Sequence, residues 1–361
     1  MESEKTMFNI LDFGAVGDEK TDCTKAINDA LQEAGKVGGV VTVPPGKYLC
    51  GTIKIPEATS LIGYPAWCFR DDGGSILIFN DENAKCCIDM TGAFGSTLKG
   101  LCVNGRHLGK FIHGVMVDKE KYDQGGKEDT PRIEDCRIGS FTGDGVHLNR
   151  IWCFSVRHCM LCFNNRHGLY INGWDGFILD NWFSGNQGAG MAGDIAIASI
   201  TATGNRVEWN ALAGFYLENG NSINITGNYF DRSGGPALRI TSKNGNITNN
   251  TTITGNVFYR SGKPRHKPFD SEYESSQVWL DYCMNVVMTG NSFLVGKDDG
   301  GKGNLSPDYG IVYGHLWSCI IKDNVLNNGA LKQILCDLGG HKDNVIVKDN
   351  VGNPVGDADK Y

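Results

Sequence analysis

Several features that define common protein classes are missing from this sequence. Only 10 of its 361 residues are proline. No run of 18 apolar residues occurs, so no transmembrane helix is predicted. The first residues are acidic and polar rather than basic and then apolar, so we expect no secretory signal and a cytoplasmic protein. Because no GxxxxGK or HExxH pattern is present, the sequence predicts no cofactor and no metal site.

The charge balance excludes some partners. The chain has 34 basic and 41 acidic residues, a net charge of −7, which argues against nucleic acid or an anionic membrane as a partner. It also mildly disfavours a strongly anionic polymer as substrate. The 13 cysteines include no pair of CxxC units at zinc spacing, so we expect buried, reduced thiols.

What the sequence does contain is a repeat. Its motif consists of alternating apolar residues, then Gly-Asn or Asp-Asn, and then two apolar residues. Successive copies such as Asn205 and Asn228 are 23 residues apart, a length that suits one coil of three short strands. Cys136 and Cys159 take the same place upstream, and the repeating asparagines are Asn181, Asn205, Asn228, Asn256, Asn291, Asn324 and Asn350.

This repeat predicts an all-β solenoid. Each coil would bury its apolar face against its neighbours, and the asparagine amides would form a stacked ladder, because each donates to and accepts from the next. We therefore predict a single parallel β-helix domain over 1–361, with regular coils over 130–352. Residues 1–50 would form an amino-terminal cap helix and the first coil. The helix is predicted over 22–35, which carry Ala26, Ile27, Ala30 and Leu31 at helical spacing. Asp22 or Thr24 would cap that helix and Gly35 would end it.

The amino-terminal segment carries a family resemblance. Its motifs are Asp12-Phe-Gly-Ala-Val-Gly-Asp18, Thr21-Asp22-Cys-Thr24-Lys-Ala26-Ile27 and Gly38-Gly-Val-Val-Thr-Val-Pro44. They resemble the opening of the pectate-lyase-like superfamily of right-handed parallel β-helices. That resemblance implies a right-handed β-helix and a carbohydrate-active protein, and it leaves the reaction open.

Aligning one strand per coil predicts a working face. Inward positions are apolar, and the alternate positions point outward. One outward column contains His147, Tyr170, Ala192, Tyr216, Arg239 and Trp279, and the other contains Asn149, Asn172, Asp194, Glu218, Thr241 and Asp281. Aromatic rings suit the faces of sugar rings, and amides and carboxylates suit their hydroxyl groups. We therefore predict a carbohydrate-binding groove; the alternative is a polar outer surface with incidental aromatics.

Acidic residues near this groove are the candidate catalytic groups. Asp194 and Glu218 occupy equivalent places one coil apart, and strands about 4.8 Å apart would bring their carboxyl groups near the ~5–5.5 Å of a retaining glycosidase. The turns add Glu208 and Asp231, which should stack on each other, and Asp175. The candidate substrate-binding residues are His147, His167, Tyr170, Trp174, Trp209, Tyr216, Arg239, Trp279 and Asp281.

Two further resemblances bear on the reaction. Thr142-Gly-Asp144-Gly and Arg166-His167-Gly168 are similar to elements of polygalacturonases, but the following Asp-Asp pair is absent and the order differs. Glu208, in a turn before a groove strand, is loosely similar to the acid of inulin fructotransferases, which are β-helix trimers. This second resemblance implies a homotrimer or another homo-oligomer.

The sequence therefore supports three functions. The first is a glycoside hydrolase or related transglycosidase that acts on an oligo- or polysaccharide through paired carboxylates. The second is a polysaccharide lyase that acts on a uronate-containing glycan by β-elimination, with Ca²⁺ as a cofactor in that case only. The third is a non-catalytic carbohydrate-binding or structural β-helix.

Overall fold

The computed structural model describes residues 6–64, 73–121, 126–263, 269–299 and 306–355. The chain divides into two compact units, Met1–Trp182 and Phe183–Tyr361. Each unit is built almost entirely of short parallel β-strands. That the chain forms one continuous domain stays a prediction.

The first unit begins with the predicted helix, which spans Thr24–Gly35 and buries Ile27, Ala30, Leu31 and Ala34. Cys23 lies at its N-cap position, and Asp22 assists from one residue earlier, because its carboxylate accepts a hydrogen bond from the Thr24 amide (2.8 Å). A short 3-10 helix, Ile10–Phe13, precedes it. The helix prediction is thus confirmed.

The parallel strands of the first unit fall into three series. The groove series is Ile53–Lys54, Cys86–Asp89, His113–Asp118 and the first parts of Val146–Arg157 and Leu169–Leu179. The second series is Met7–Asn9, Val40–Thr42, Ser60–Ile62, Thr97–Lys99, Arg132–Glu134 and the second parts of the same two long strands. The third series is Asp18–Asp22, Gly46–Cys50, Ser75–Phe79, Cys102–Asn104, Arg137–Gly139 and Met160–Cys162.

The strand Trp182–Ser184 lies at the boundary, and the second unit continues with the same three kinds of strand. Its groove series is Met191–Gly193, Phe215–Glu218, Leu238–Thr241, the first parts of Ser276–Thr289 and Tyr309–Trp317, and Gln333–Asp337. Its second series is Ile197–Thr203, Gly220–Thr226, Thr248–Thr254, the second part of Ser276–Thr289, Ile320–Lys322 and Ile346–Lys348. Its third series is Arg206–Glu208, Tyr229–Asp231, Val257–Tyr259, Ser292–Leu294, Val325–Asn327 and Val351–Asn353. A 3-10 turn, Glu272–Glu274, interrupts them.

The predicted register of the groove strands is confirmed within each unit. In the first unit His147 pairs with Tyr170 and Asn149 with Asn172. In the second unit the pairs are Ala192 with Tyr216, Tyr216 with Arg239, and Arg239 with Trp279. A slip of one residue would have turned every outward side chain inward, so this register directs these candidate side chains away from the apolar core of the coils.

The predicted asparagine ladder is also present. The Asn228 Oδ1 atom accepts hydrogen bonds from the Asn205 amide (3.0 Å) and from Asn205 Nδ2 (2.9 Å). The same two contacts link each later pair through Asn350. The residue before each asparagine has a left-handed backbone, such as Gly227 (φ 65°) and Asp323 (φ 55°). This explains why Gly or Asp precedes the asparagine, since these residues adopt that conformation most easily.

A second ladder was missed by the sequence analysis. In the second unit Asn186 donates from its amide (3.2 Å) and from Nδ2 (2.9 Å) to Asn210 Oδ1. In the first unit Asn164 accepts a hydrogen bond from the Phe141 amide. The 24-residue separation of Asn186 and Asn210 was a visible signal. Five buried phenylalanines of the second unit also pack in series, the first three edge to face and the last three stacked: Phe183, Phe215, Phe230, Phe258 and Phe293.

Two further expectations concern membranes and thiols. Among the residues that the structure describes, no helix is long and apolar enough to cross a bilayer. The twelve cysteines in those ranges are all free, and Cys68 lies outside them.

Candidate functional site

The groove face of the second unit presents a cation between two aromatic rings. The Arg239 guanidinium lies over the Tyr216 ring (5.0 Å to the centroid) and the Trp279 ring (4.7 Å). It also donates to Glu274 Oε1 at 2.9 Å. The Arg239 Nε and Trp279 Nε1 atoms are buried without a hydrogen-bond partner in the protein. Three of the predicted substrate-binding residues therefore pack together on this face.

Glu218, on the neighbouring column, is the centre of a hydrogen-bond network. Its side chain is only 3% exposed, and one oxygen, Oε1, receives three donors. These are the Tyr216 hydroxyl, Lys243 Nζ at 2.7 Å and Thr241 Oγ1 at 3.5 Å. Lys243 Nζ also donates to the Tyr216 hydroxyl at 3.2 Å.

This network raises the pKa values of its two titratable donors, Lys243 and Tyr216. The hydrogen bond to Glu218 raises the pKa of Lys243. Burial, followed by the hydrogen bond to Glu218, raises the pKa of the Tyr216 phenol. Both groups therefore keep their protons at neutral pH and can donate hydrogen bonds to Glu218. Lys243 was missed by the sequence analysis because it lies in the turn after the strand.

Along the predicted column Asp194 comes one coil before this carboxylate, and Asp281 comes two coils after it, beyond Thr241. The strand pairing stops at Gly193, opposite Leu217, and Asp194 follows as an exposed residue. The predicted acid pair thus combines a buried and an exposed member. Asp281 accepts a hydrogen bond from His315 Nδ1 at 2.9 Å.

Glu208 and Asp231 stack as predicted, since they pair directly on adjacent strands. Asp231 is 1% exposed; its Oδ1 accepts from Arg260 Nε (3.0 Å), and its Oδ2 accepts from Arg260 Nη2 (2.9 Å) and Arg232 Nη2 (2.7 Å). Glu208 pairs with Arg206 Nε at 2.8 Å. Both oxygens of Asp231 are therefore held by arginines.

Trp209 contacts the same arginine network. The centroid of its ring lies 3.9 Å from the Arg232 guanidinium. One face of this predicted substrate-binding residue is therefore covered by a cation. Asp231, Arg260 and Arg232 form a fixed charge cluster beneath it.

The first unit contains a cluster that the sequence analysis found only in part. Asp144, whose side chain is 0% exposed, accepts from His147 Nδ1 at 2.8 Å and lies 3.3 Å from His113 Nδ1. Its other oxygen accepts from the His167 amide at 3.0 Å, and Arg166 Nη1 lies 3.4 Å from the first. Burial tends to raise the pKa of Asp144, but its contacts with His113 and His147 and the charges of His167 and Arg166 outweigh it. The pKa therefore lies well below its ordinary value.

Rings surround this carboxylate. His147 stacks on Tyr170 (4.9 Å, 11°) and lies 4.2 Å from the His113 ring. Tyr170 is only 7% exposed, so its side chain is less accessible than its place in the predicted outward column implies. Asp144 and Arg166 were visible in the polygalacturonase-like elements but were not selected, and His113 carried no signal.

His113, Asp144 and His147 are also the one group of three His, Cys, Asp or Glu in the described ranges whose ligand atoms converge, within 4.8 Å. The same Asp144 oxygens already accept from His147, Arg166 and the His167 amide. We interpret the group as a hydrogen-bond network, because its acceptors are occupied by donors from the protein.

Trp174 and Asp175 lie in the middle of the long strand Leu169–Leu179, beyond its groove part. Asp175 accepts a hydrogen bond from Trp152 Nε1 at 2.8 Å and has a left-handed backbone (φ 59°). Trp174 pairs with Trp152 across the strands. The structure therefore separates them from His147, His167 and Tyr170 within the same unit.

Comparison with known proteins agrees with this architecture. Residues 7–235 match the family described as "Rhamnogalacturonase A/epimerase, pectate lyase-like", and residues 144–353 match "Right handed beta helix region". A probable rhamnogalacturonase E of Aspergillus flavus is 42% identical over 65 residues, which are 18% of this chain and 13% of that relative. The chain thus matches only a small part of that curated relative.

Solved structures share the fold at low identity. The A-module of the mannuronan C-5 epimerase AlgE6 of Azotobacter vinelandii is 17% identical, with a TM-score of 0.63 over 96% of this chain and 99% of that one. DFA-IIIase of Arthrobacter chlorophenolicus, without its lid, is 14% identical, with a TM-score of 0.63 over 97% and 99%. The tailspike protein 2 domain of bacteriophage CBA120 is 14% identical, with a TM-score of 0.69 over 89% and 48%. Because each family model matches more than half of the sequence, the chain belongs to the pectate-lyase-like rhamnogalacturonase A/epimerase family of right-handed β-helix proteins.

Proposed function

We propose that this protein is a glycoside hydrolase or related transglycosidase, built on a single right-handed β-helix, and that Glu218 is its central catalytic carboxylate. The observation that carries the proposal is the buried Glu218 carboxylate, held by Tyr216 and Lys243 beside the aromatic surface of Arg239 and Trp279. Membership of a family named for a rhamnogalacturonase and an epimerase supports a carbohydrate as substrate.

In this mechanism Glu218 acts as the nucleophile or base. Lys243 and Tyr216 donate hydrogen bonds to its Oε1 atom and so fix its orientation. Asp194, one coil away and exposed, is the proposed acid, since roughly 4.8 Å between strands suits a retaining pair. The rings of Tyr216 and Trp279 would carry the sugar, and Arg239 would hold its hydroxyl groups.

The remaining acids of the predicted set are weaker candidates. Asp231 and Glu208 are paired with arginines, and Asp175 accepts from Trp152. A cytoplasmic location and a homo-oligomeric state are part of the proposal and are tested by fractionation and by light scattering of the purified protein.

The test is a panel of oligo- and polysaccharides with product masses as the readout. We expect Glu218→Gln and Asp194→Asn to lose about 10²–10⁴-fold in kcat. Glu33→Gln is the matched control, because Glu33 lies on the capping helix and is half exposed. Products that carry an added water indicate hydrolysis, and products of unchanged total mass indicate transfer or elimination, of which only elimination produces an unsaturated uronate that absorbs in the ultraviolet. Full activity in Glu218→Gln would refute the assignment.

A second candidate function is β-elimination on a uronate-containing glycan, favoured by the Asp144–His147 contact. Because Asp144 is ionised, it only accepts hydrogen bonds, so His147 must carry its proton on Nδ1 and leave Nε2 as a base. Arg166, 3.4 Å from Asp144, would neutralise the sugar carboxylate.

This alternative predicts a different product. A lyase would produce an unsaturated uronate, which absorbs in the ultraviolet. Its products would carry no added water, unlike those of hydrolysis. It would lose activity in His147→Gln but keep it in Glu218→Gln. If a chelator abolished that activity and Ca²⁺ restored it, the metal-dependent form of the lyase would be supported.

A further inference from the structure

Five asparagines of the chain are followed directly by glycine: Asn104, Asn172, Asn219, Asn244 and Asn328. In an Asn-Gly pair the backbone nitrogen of the glycine can attack the asparagine side chain, because glycine has no Cβ to obstruct the approach. The attack also needs a nitrogen that is free of hydrogen bonds and a backbone that has room to rotate. These two conditions depend on the fold, so the structure distinguishes among the five pairs.

Four of the pairs are held by the fold, and their glycines are all buried. In three of them the glycine amide donates a hydrogen bond: Gly105 to the Gly139 carbonyl at 2.9 Å, Gly220 to Thr248 Oγ1 at 3.2 Å, and Gly329 to the Leu326 carbonyl at 2.9 Å. In the fourth pair Asn172 is only 4% exposed. A Cβ on Gly173 would come within 2.1 Å of the Ile151 carbonyl oxygen, so the backbone of that pair has no room to rotate.

The fifth pair, Asn244-Gly245, lies in an exposed turn of the second unit. The turn is closed by a hydrogen bond from the Asn246 amide to the Lys243 carbonyl at 3.1 Å. Its two central residues both have a left-handed backbone, with φ of 57° at Asn244 and 77° at Gly245. Positive φ at both central positions is typical of a type I′ turn, in which Asn-Gly is a preferred central pair.

Both reacting groups of this fifth pair are accessible. In the part of the chain that the structure describes, neither the Asn244 side chain nor the Gly245 amide forms a hydrogen bond with the protein. Asn244 and Gly245 are both exposed. A Cβ built on Gly245 would meet nothing within 4 Å, so the backbone has space to rotate toward the side chain.

We propose that Asn244 is a site of spontaneous modification, at which the folded chain converts this amide into aspartate and isoaspartate. The Gly245 nitrogen loses its proton to hydroxide and attacks Asn244 Cγ, which forms a new C–N bond and closes a cyclic imide. The Cγ–Nδ2 bond breaks, and that nitrogen takes a proton from water and leaves as ammonia. Water then adds to either carbonyl of the imide and opens the ring. The net change is one water consumed and one ammonia released.

The modification alters a segment beside the proposed active site. Lys243 directly precedes Asn244, and its Nζ lies 2.7 Å from Glu218 Oε1. Both products add a negative charge to the turn. Isoaspartate also directs the backbone through the former side chain, which changes the geometry of the hydrogen bond between Asn246 and Lys243. Only this link to Glu218 rests on the proposed function.

Mass spectrometry of tryptic peptides tests the proposal, because each Asn-Gly pair lies on its own peptide: 100–106, 167–206, 207–232, 244–260 and 323–332. The full-length protein is incubated at mildly alkaline pH, and the fraction of the acid form is followed in each peptide. We expect the 244–260 peptide to convert at least about tenfold faster than the other four, since those react only after local opening of the fold. In protein unfolded by urea the five rates should become similar.

Asn244→Gly is the matched variant, because Gly-Gly also suits a type I′ turn and has no side-chain amide to lose. A methyltransferase specific for isoaspartate should label aged wild type at peptide 244–260 and leave that peptide of the aged variant unlabelled. Thermal unfolding checks that the variant is folded. Equal rates at the five pairs in folded protein, or an advantage of Asn244 that persists unchanged in urea, would overturn the proposal.

The mass readout is independent of catalysis. Rapid conversion of Asn244 in a protein that cleaves no glycan would support the modification site and refute the proposed function. Cleavage that depends on Glu218, in a protein whose Asn244 converts no faster than Asn219, would support the function and refute the modification site.

Discussion

Removing one asparagine from the middle of the ladder should destabilise the second unit strongly. The Asn228 side chain accepts from the Asn205 amide and Nδ2. It donates to the Ala202 carbonyl at 3.0 Å and to Asn256 Oδ1 at 3.0 Å. Asn228→Ala removes all of these contacts inside a buried turn, where water cannot replace them.

The magnitude follows from those contacts. Each buried hydrogen bond contributes about 1 kcal/mol, and a donor left without a partner costs about 1–3 kcal/mol. The four contacts of Asn228 therefore predict a loss of about 4 kcal/mol in the free energy of unfolding. Asn228→Asp keeps the acceptor but loses two donor contacts and buries a charge, so we expect it to be no more stable than Asn228→Ala.

Urea unfolding, followed by circular dichroism and by tryptophan fluorescence, measures this loss. Asn224→Ala is the matched control, because Asn224 is exposed and lies in the same coil, four residues before Asn228. Its side chain accepts a hydrogen bond from Thr226 Oγ1 at the surface. The control should change stability by less than about 0.5 kcal/mol. If Asn228→Ala and Asn224→Ala unfold at the same urea concentration, the ladder does not stabilise the stack as we argue.

Two further predictions concern titration. Asp144→Asn should lower stability at neutral pH by about 3 kcal/mol, because His147 and its neighbours lose their anionic partner. Since the folded pKa of Asp144 lies below its unfolded value of about 3.9, its contribution is complete above that value and is lost as the pH falls further, so the urea midpoints of wild type and variant should converge below about pH 4; a constant difference would contradict this. The Tyr216 phenol should titrate above the usual value of about 10, measured as the difference in phenolate absorbance between wild type and Tyr216→Phe. Glu218→Gln should lower that pKa, and no change would show that Glu218 does not perturb it.

The backbone arrangement was largely predictable because it depends on periodic features. Apolar alternation set the register of Tyr216, Arg239 and Trp279, since one face of each strand must be buried. The ladder was predictable because Asn228 and its equivalents recur one coil apart and follow a residue that tolerates a left-handed backbone. The second ladder, at Asn186 and Asn210, had the same signal and was missed.

Side-chain partners were not predictable in the same way. Asp231 meets Arg260, 29 residues later, and Glu218 meets Lys243 from the turn after the next groove strand. These contacts depend on turn geometry and rotamers, which have no period in the sequence. The hydrogen bond between Asp281 and His315 likewise joins residues that are 34 positions apart.

The partners of each buried carboxylate distinguish structural from catalytic candidates. Asp231 is held by arginines, which do not release a proton in proteins, so that cluster can fix charge but cannot relay protons. Glu218 is held by a phenol and an ammonium group, and Asp144 by imidazoles, which are types of group that can exchange protons. We therefore expect acid–base chemistry at Glu218 or Asp144, and the variants Glu218→Gln and His147→Gln test which of the two acts on the glycan.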